Sequence, residues 1–122
     1  MSGVNTNTSS LLVLDLLKSV QWNEQGPHSQ VLADSEAARL ILLTLRAGKE
    51  IKEHRNASQL VLQVVDGCIV LTAAAQHVTL RPGMACQLAA GLPHQLRAEQ
   101  DTVLLLTLTP DPASRGEKDK RP

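Results

Sequence analysis

Two of the four histidines, His54 and His94, have neighbours typical of a functional site. His54 lies between Gly48 and the apolar run QLVLQVV, and His94 directly follows Gly91-Leu92-Pro93. Imidazole titrates near neutral pH and binds zinc, nickel, copper and iron, so each residue could act as a general base or as a metal ligand. A general base also needs an orienting acid, and the sequence around these histidines does not supply one.

The carboxylates near His54 are poorly placed for a non-haem iron site of the facial type, which combines two histidines with one carboxylate. If His54 lies on a strand, Glu53 faces away from it, and Glu50 shares its face but is about 13 Å away. The amide oxygen of Asn56 or Gln59 is the remaining candidate ligand. The sequence therefore predicts at most a weakly held zinc, nickel, copper or iron ion.

A second interpretation of the two histidines needs no metal. Neutral imidazoles can hydrogen-bond to each other, to water or to the Asn56 amide, and we expect them to face each other across the barrel. Under either interpretation, strand alternation places neighbouring leucines on the same face as the histidines. Both therefore predict an apolar ligand pocket lined by His54, Asn56, Gln59, Leu60, Leu62, His94 and Leu96.

The elements that must position these residues are short strands. Apolar runs such as RLILLTLR, CIVLTA and TVLLLTLT alternate with turns rich in Gly, Pro and Asp, which is typical of an all-β sandwich or barrel. Asp66-Gly67 predicts a hairpin, because Gly tolerates the positive φ of such turns. Residues 11–18 fit either a helical turn or an edge strand. We expect a flexible N-terminus at 1–10, one mostly antiparallel domain at 11–109, and a disordered tail at 110–122.

Composition excludes several classes of function. The 122 residues suit one domain, with 12 basic and 12 acidic side chains and only 1% aromatic residues. A nucleic-acid or membrane-surface protein would be more basic, and a base-stacking site would need aromatic rings. Two cysteines without CxxC spacing predict buried apolar residues in a reducing, cytoplasmic protein.

The remaining candidate side chains have simpler explanations. His28 and His77 lie in or beside predicted turns and are expected at the surface, with His28 near the barrel mouth as the alternative. Arg55 is expected on the outer face of its strand. Trp22 is expected to cap the core or form a dimer contact, with a pocket lid as the alternative.

The spacing of glycines and histidines over residues 48–98 resembles that of two sequence motifs of the cupin superfamily. Gly48, His54 and Gly67 resemble the first cupin motif over residues 48–67, and LRPGMACQLAAGLPHQLRA over residues 80–98 resembles the second. The resemblance implies a double-stranded β-helix, or jelly-roll, barrel that usually forms a homodimer. It also implies a metal site of three histidines and one glutamate. In this chain Asn56 occupies the position of the second histidine of the first motif and Leu60 the position of the glutamate, so only His54 and His94 match the ligand set.

Three functions follow from the resemblance. The first is a small cupin that binds a small molecule, with or without a weakly held metal, through His54 and His94. The second is a metal-dependent oxygenase or isomerase with an atypical ligand set. The third is a regulatory or sensor module. Metal content separates the second function from the other two.

Overall fold

The computed structural model describes residues 5–7 and 11–110. Apart from one short 3₁₀ helix at Leu17–Ser19, its regular elements are strands. The flexible N-terminus and disordered tail that the sequence predicts lie mostly outside these residues, although Asn5–Asn7 form a strand. The strands are β1 (Asn5–Asn7), β2 (Leu12–Leu14), β3 (His28–Asp34), β4 (Arg39–Leu45), β5 (Glu50–His54), β6 (Gln59–Asp66), β7 (Ile69–Ala73), β8 (Gln76–Leu80), β9 (Ala85–Leu88), β10 (His94–Ala98) and β11 (Thr102–Thr109).

Nine of these strands form two antiparallel sheets. The larger has the order β3-β4-β11-β6-β9 and the smaller the order β5-β10-β7-β8. From β4 onwards the chain passes repeatedly from one sheet to the other, and the hairpin of β7 and β8 is the exception. This arrangement is a double-stranded β-helix, and the all-β prediction is confirmed.

The core lies between the two sheets and is almost entirely aliphatic. Strand β10 shows how it forms: His94, Leu96 and Ala98 are buried, and the two residues between them are exposed. Each leucine buried in this way contributes about 1.5–3 kcal/mol. The core side chains are Leu43, Leu45, Leu60, Leu62, Val64, Ile69, Leu71, Leu80, Leu88, Leu96, Ala98 and Leu104.

The hairpin predicted at Asp66-Gly67 is wrong, because β6 and β7 belong to different sheets. The turn is a corner between the sheets, and its glycine has a φ of 93°. A Cβ at Gly67 would lie 2.4 Å from the carbonyl oxygen of Asp101 and 2.6 Å from Cα of Thr102. Gly67 is therefore required because another backbone approaches it closely, as well as for its positive φ.

The tight hairpin lies one strand later. Ala73 of β7 pairs with Gln76 of β8, so Ala74 and Ala75 form a two-residue turn. Both have positive φ, 50° and 61°, which is the pattern of a type I′ turn. Alanine is unusual there, and the sequence Ala-Ala gives no turn signal of the Asn-Gly kind.

The segment before β3 covers part of the outer face of the larger sheet. Leu42 and Thr44 alternate with core residues and so point outward, yet each is only 1% exposed. The Thr44 hydroxyl donates a hydrogen bond to the carbonyl of Gln21.

Residues 11–18 combine both predicted alternatives, because β2 is followed by the 3₁₀ helix. No helix in the described ranges is long and apolar enough to cross a membrane.

Trp22 is half-buried and is held by an ion-pair cluster. Its ring lies 4.2 Å from the guanidinium of Arg46, which pairs with Glu24 at 2.7 Å and with Asp101 at 2.9 Å. The backbone N–H of Ala47 donates to the Asp101 carboxylate, and this bond is the main cause of the lowered pKa of Asp101. The cluster fastens the N-terminal segment to the end of β4 and to the turn before β11.

The apolar surface left exposed lies mainly on the N-terminal segment. A homodimer would cover exposed apolar surface, but the outward-facing Leu42 of β4 is already buried within one chain. The exposed large apolar side chains of the described residues are Leu11, Leu12, Val13, Leu17, Val31, Val78 and Met84.

Candidate functional site

His54 and His94 are direct neighbours in the smaller sheet. They pair across β5 and β10, and their ring centroids are 4.3 Å apart with an interplanar angle of 59°. The two rings were expected to face each other across the barrel; instead they lie side by side on one wall. The pairing of the two strands is therefore sufficient to bring the imidazoles together.

A β-bulge in β5 sets the direction of His54. Leu96 pairs with Ile51 and His94 pairs with His54, so Lys52 and Glu53 together stand opposite the single residue between the two β10 positions. The extra residue breaks the alternation of β5, and Ile51 and His54 both line the interior cavity.

The bulge changes the face on which Glu50 lies. Glu50 was expected to share the face of His54, but it pairs with Arg97, which alternates with the inward-facing residues of β10. Strand β5 also ends at His54, so Asn56, which was expected to line the pocket, does so from the loop that follows the strand. Neither Glu50 nor Glu53 is among the residues that line the cavity beside His54.

Each imidazole is fixed by a backbone carbonyl two residues earlier. Nδ1 of His54 lies 3.1 Å from the carbonyl oxygen of Lys52, and Nδ1 of His94 lies 2.9 Å from that of Leu92. A carbonyl only accepts, so Nδ1 carries the hydrogen in both rings. In the neutral imidazole Nε2 then keeps its lone pair, and the pair offers two acceptor nitrogens to a ligand.

The two histidines differ in burial. His94 is 3% exposed, whereas His54 is exposed. Burial lowers the pKa of His94, the hydrogen bond to Leu92 opposes this effect, and the nearby His54 adds to the lowering. His94 is consequently a neutral acceptor at neutral pH, and His54 stands between it and solvent.

The histidines line a cavity of about 110 Å³ between the sheets. Every residue predicted to line the pocket does so except Gln59, which alternates with the inward-facing Leu60 and therefore points away. Five further lining residues were missed. They are Ile41, Leu43, Ile51, Leu106 and Leu108. The four residues on β4 and β11 follow from simple alternation once the strands are paired, whereas the bulge in β5 concealed the direction of Ile51.

Two loops meet where Asn56 reaches the cavity. The backbone carbonyl of Asn56 accepts a hydrogen bond of 2.7 Å from the N–H of Gly91, whose φ is 80°. The bond ties the loop after β5 to the loop before β10. Each loop is adjacent to one of the two histidines, so this bond helps to maintain their spacing.

The residues present do not fit a complete metal centre. Within the described ranges no group of three or more His, Cys, Asp or Glu side chains is placed to hold an ion. Leu60, at the position where the cupin resemblance would put a glutamate, is a buried part of the cavity wall. Two imidazoles and one amide are the polar groups at this cavity, which is too few for a firmly bound metal.

The other candidate residues lie away from the cavity. His77 is exposed and bonds through Nδ1 to the Thr72 hydroxyl at 2.8 Å. His28 is half-buried on β3. Both cysteines are free thiols; Cys68 is buried, and burial raises the pKa of the half-buried Cys86.

The architecture matches several solved structures. A protein of Thermus thermophilus is 28% identical with a TM-score of 0.75, covering 82% of this chain and 98% of its own. A cupin superfamily protein of Desulfitobacterium hafniense is 19% identical with a TM-score of 0.75, covering 91% of this chain and 100% of its own. A Klebsiella pneumoniae protein with a double-stranded β-helix domain is 15% identical with a TM-score of 0.74, and the match covers 83% of this chain and 91% of that protein.

Comparison by sequence alone gives no further match. No family model matches the chain. No curated protein matches it either. The structural matches therefore establish the fold, which is that of a small cupin domain.

Proposed function

Given this cupin fold, we propose that the protein binds a small organic molecule in the cavity between its sheets, at His54 and His94. One observation carries the proposal: an aliphatic cavity in which two adjacent imidazoles each have one ring nitrogen left for a ligand. Apolar cavities with a few converging polar groups are the usual sites for small ligands.

The character of the walls restricts the ligand. Eight of the eleven lining residues are aliphatic, and none of the eleven is Asp, Glu, Lys or Arg. A sugar nucleotide or another multiply charged ligand would leave its charges unpaired in such a cavity. The proposal is therefore for a ligand that is apolar or weakly polar.

Methyl NMR with leucine-labelled protein tests this proposal. Fragments of about six non-hydrogen atoms or fewer are expected to shift the methyl resonances of the cavity leucines. Leu106→Phe should fill the cavity and abolish the shifts. Leu105→Phe, on the opposite face of β11, is the matched control and should leave them unchanged. If no fragment shifts these resonances, the ligand site does not exist.

A weak divalent metal site is the second candidate. Its support is that both Nδ1–H groups are held by backbone carbonyls, which is the usual arrangement of metal-binding histidines and leaves both Nε2 atoms for an ion. Zinc, nickel or copper would suit two imidazoles, with water as further ligands. An oxygenase or isomerase activity would depend on this site.

Elemental analysis of untagged protein tests the metal site. Metal is expected below one equivalent, and His54→Ala should remove it while preserving the fold. Acid should release the metal, because protonated imidazole cannot bind it. One full equivalent of zinc or iron that resists a chelator would instead favour the metal-dependent enzyme.

A further inference from the structure

The cavity limits the size of its ligand. Its volume is about 110 Å³. An apolar protein cavity of about 150 Å³ accommodates one benzene molecule, so this cavity accommodates roughly four to six non-hydrogen atoms. A sugar or a nucleotide is too large to enter it. The ligand is either a small molecule or the short terminal group of a larger one.

The polar groups of the cavity limit the charge of the ligand. A carboxylate would meet two Nε2 lone pairs, and only the Asn56 amide could donate to it. An ammonium group would lose its water without gaining a carboxylate partner. A hydroxyl has neither difficulty, because its hydrogen can be donated to Nε2 while its oxygen accepts from the amide or from water.

We infer, on the premise of the ligand site proposed above, that the ligand class is a short aliphatic alcohol of about four or five carbons. Its hydroxyl donates to Nε2 of His94, and its alkyl chain lies among the leucines and isoleucines. His94 is the partner because it is buried, so that hydrogen bond is sheltered from competing water. The exposed His54 contacts the ligand from the solvent side.

A matched series of ligands tests the inference. Isoamyl alcohol, isobutyrate and isoamylammonium each have a branched alkyl group and the same number of non-hydrogen atoms, and they differ in the head group. At about pH 8, well above the pKa of the buried His94, the alcohol is expected to bind at least about tenfold more tightly than either ion. Binding is followed through the cavity leucine methyl resonances of the unmodified protein.

A variant tests the partner of the hydroxyl. His94→Phe retains a ring but removes the acceptor, and should weaken alcohol binding by about three- to tenfold. His77→Phe, an exposed histidine on β8, is the control and should have no effect. Equal binding of the three compounds would overturn the alcohol class. That result would leave the ligand site in place, whereas the absence of shifts with these compounds and with all fragments would overturn the site itself. The head-group comparison needs no variant and remains decisive if His94→Phe fails to fold.

Discussion

The turn between β7 and β8 is predicted to store conformational strain that a double substitution can release. Ala74 and Ala75 have φ of 50° and 61°, and they are the non-glycine residues with positive φ among those described. The left-handed conformation costs an alanine about 1–2 kcal/mol. Asn-Gly is the favoured sequence for this type of turn. Ala74→Asn with Ala75→Gly should therefore stabilise the protein.

The gain can be estimated from opposing effects. Glycine at position 75 removes about 1–2 kcal/mol of strain but adds about 0.5–1 kcal/mol of unfolded-state entropy. Asparagine at position 74 relieves part of the strain there without that entropic cost. The net increase in the free energy of unfolding is about 1 kcal/mol, which corresponds to about 4 °C in Tm for a chain of this length.

Urea and thermal unfolding monitored by circular dichroism measure the gain. The control is Ala89→Gly, at an exposed alanine whose φ is not positive, which should lose about 0.4–1 kcal/mol. If the double variant were no more stable than the wild type while the control behaved as expected, the turn would not be strained. A change in the urea m-value would indicate an altered denatured state rather than a relieved turn.

Four further predictions concern other parts of the chain. Gly67→Ala should cost about 2–4 kcal/mol in urea unfolding, whereas Gly26→Ala, with no atom within 4 Å of the new Cβ, should cost little. Because the folded-state pKa of His94 lies below its ordinary 6.5, the folded protein binds fewer protons than the unfolded chain. The His94 imidazole should thus leave the free energy of unfolding unchanged well above pH 6.5. That free energy should fall as the pH drops through 6.5 towards the lower pKa of His94 in the folded state. His94→Gln should flatten that dependence in urea midpoints measured across this range. Deleting residues 110–122 should leave Tm within about 1 °C, and a fall near 5 °C would mean that the tail docks. Light scattering should give a homodimer of twice the 13.1 kDa chain mass, and a monomer at micromolar concentration would contradict this.

The sequence was sufficient to predict features that depend on local pattern. The alternation in β10 predicted which side chains enter the core, because a regular strand has a period of two. The resemblance of the spacing around His54 and His94 to the cupin motifs predicted that the two residues share a cavity, and the leucines on either side predicted its aliphatic walls. The alternation in β10 and the aliphatic walls need no knowledge of which strands are paired, whereas the shared cavity depends on that resemblance.

Features that depend on pairing were not predictable. Asp66-Gly67 has the same local signal whether the next strand pairs with the previous one or crosses to the other sheet. The bulge in β5 is visible only as a mismatch with β10, so strict alternation gave Glu50 the wrong face. The break between CIVLTA and HVTLR predicted a turn at Ala74 and Ala75, but not its positive φ, because that conformation follows from the pairing of β7 with β8. In each case tertiary structure overrides the local preference.

The bulge at Lys52 and Glu53 has a consequence for how related chains should be aligned. Removing one of these two residues would restore regular alternation, and Ile51 and His54 would then be two positions apart and still share the inner face. The strand therefore tolerates a one-residue deletion there without moving the histidine out of the cavity. A relative that lacks one residue between its core aliphatic and its histidine retains the same site, and a gap in that strand does not indicate its loss.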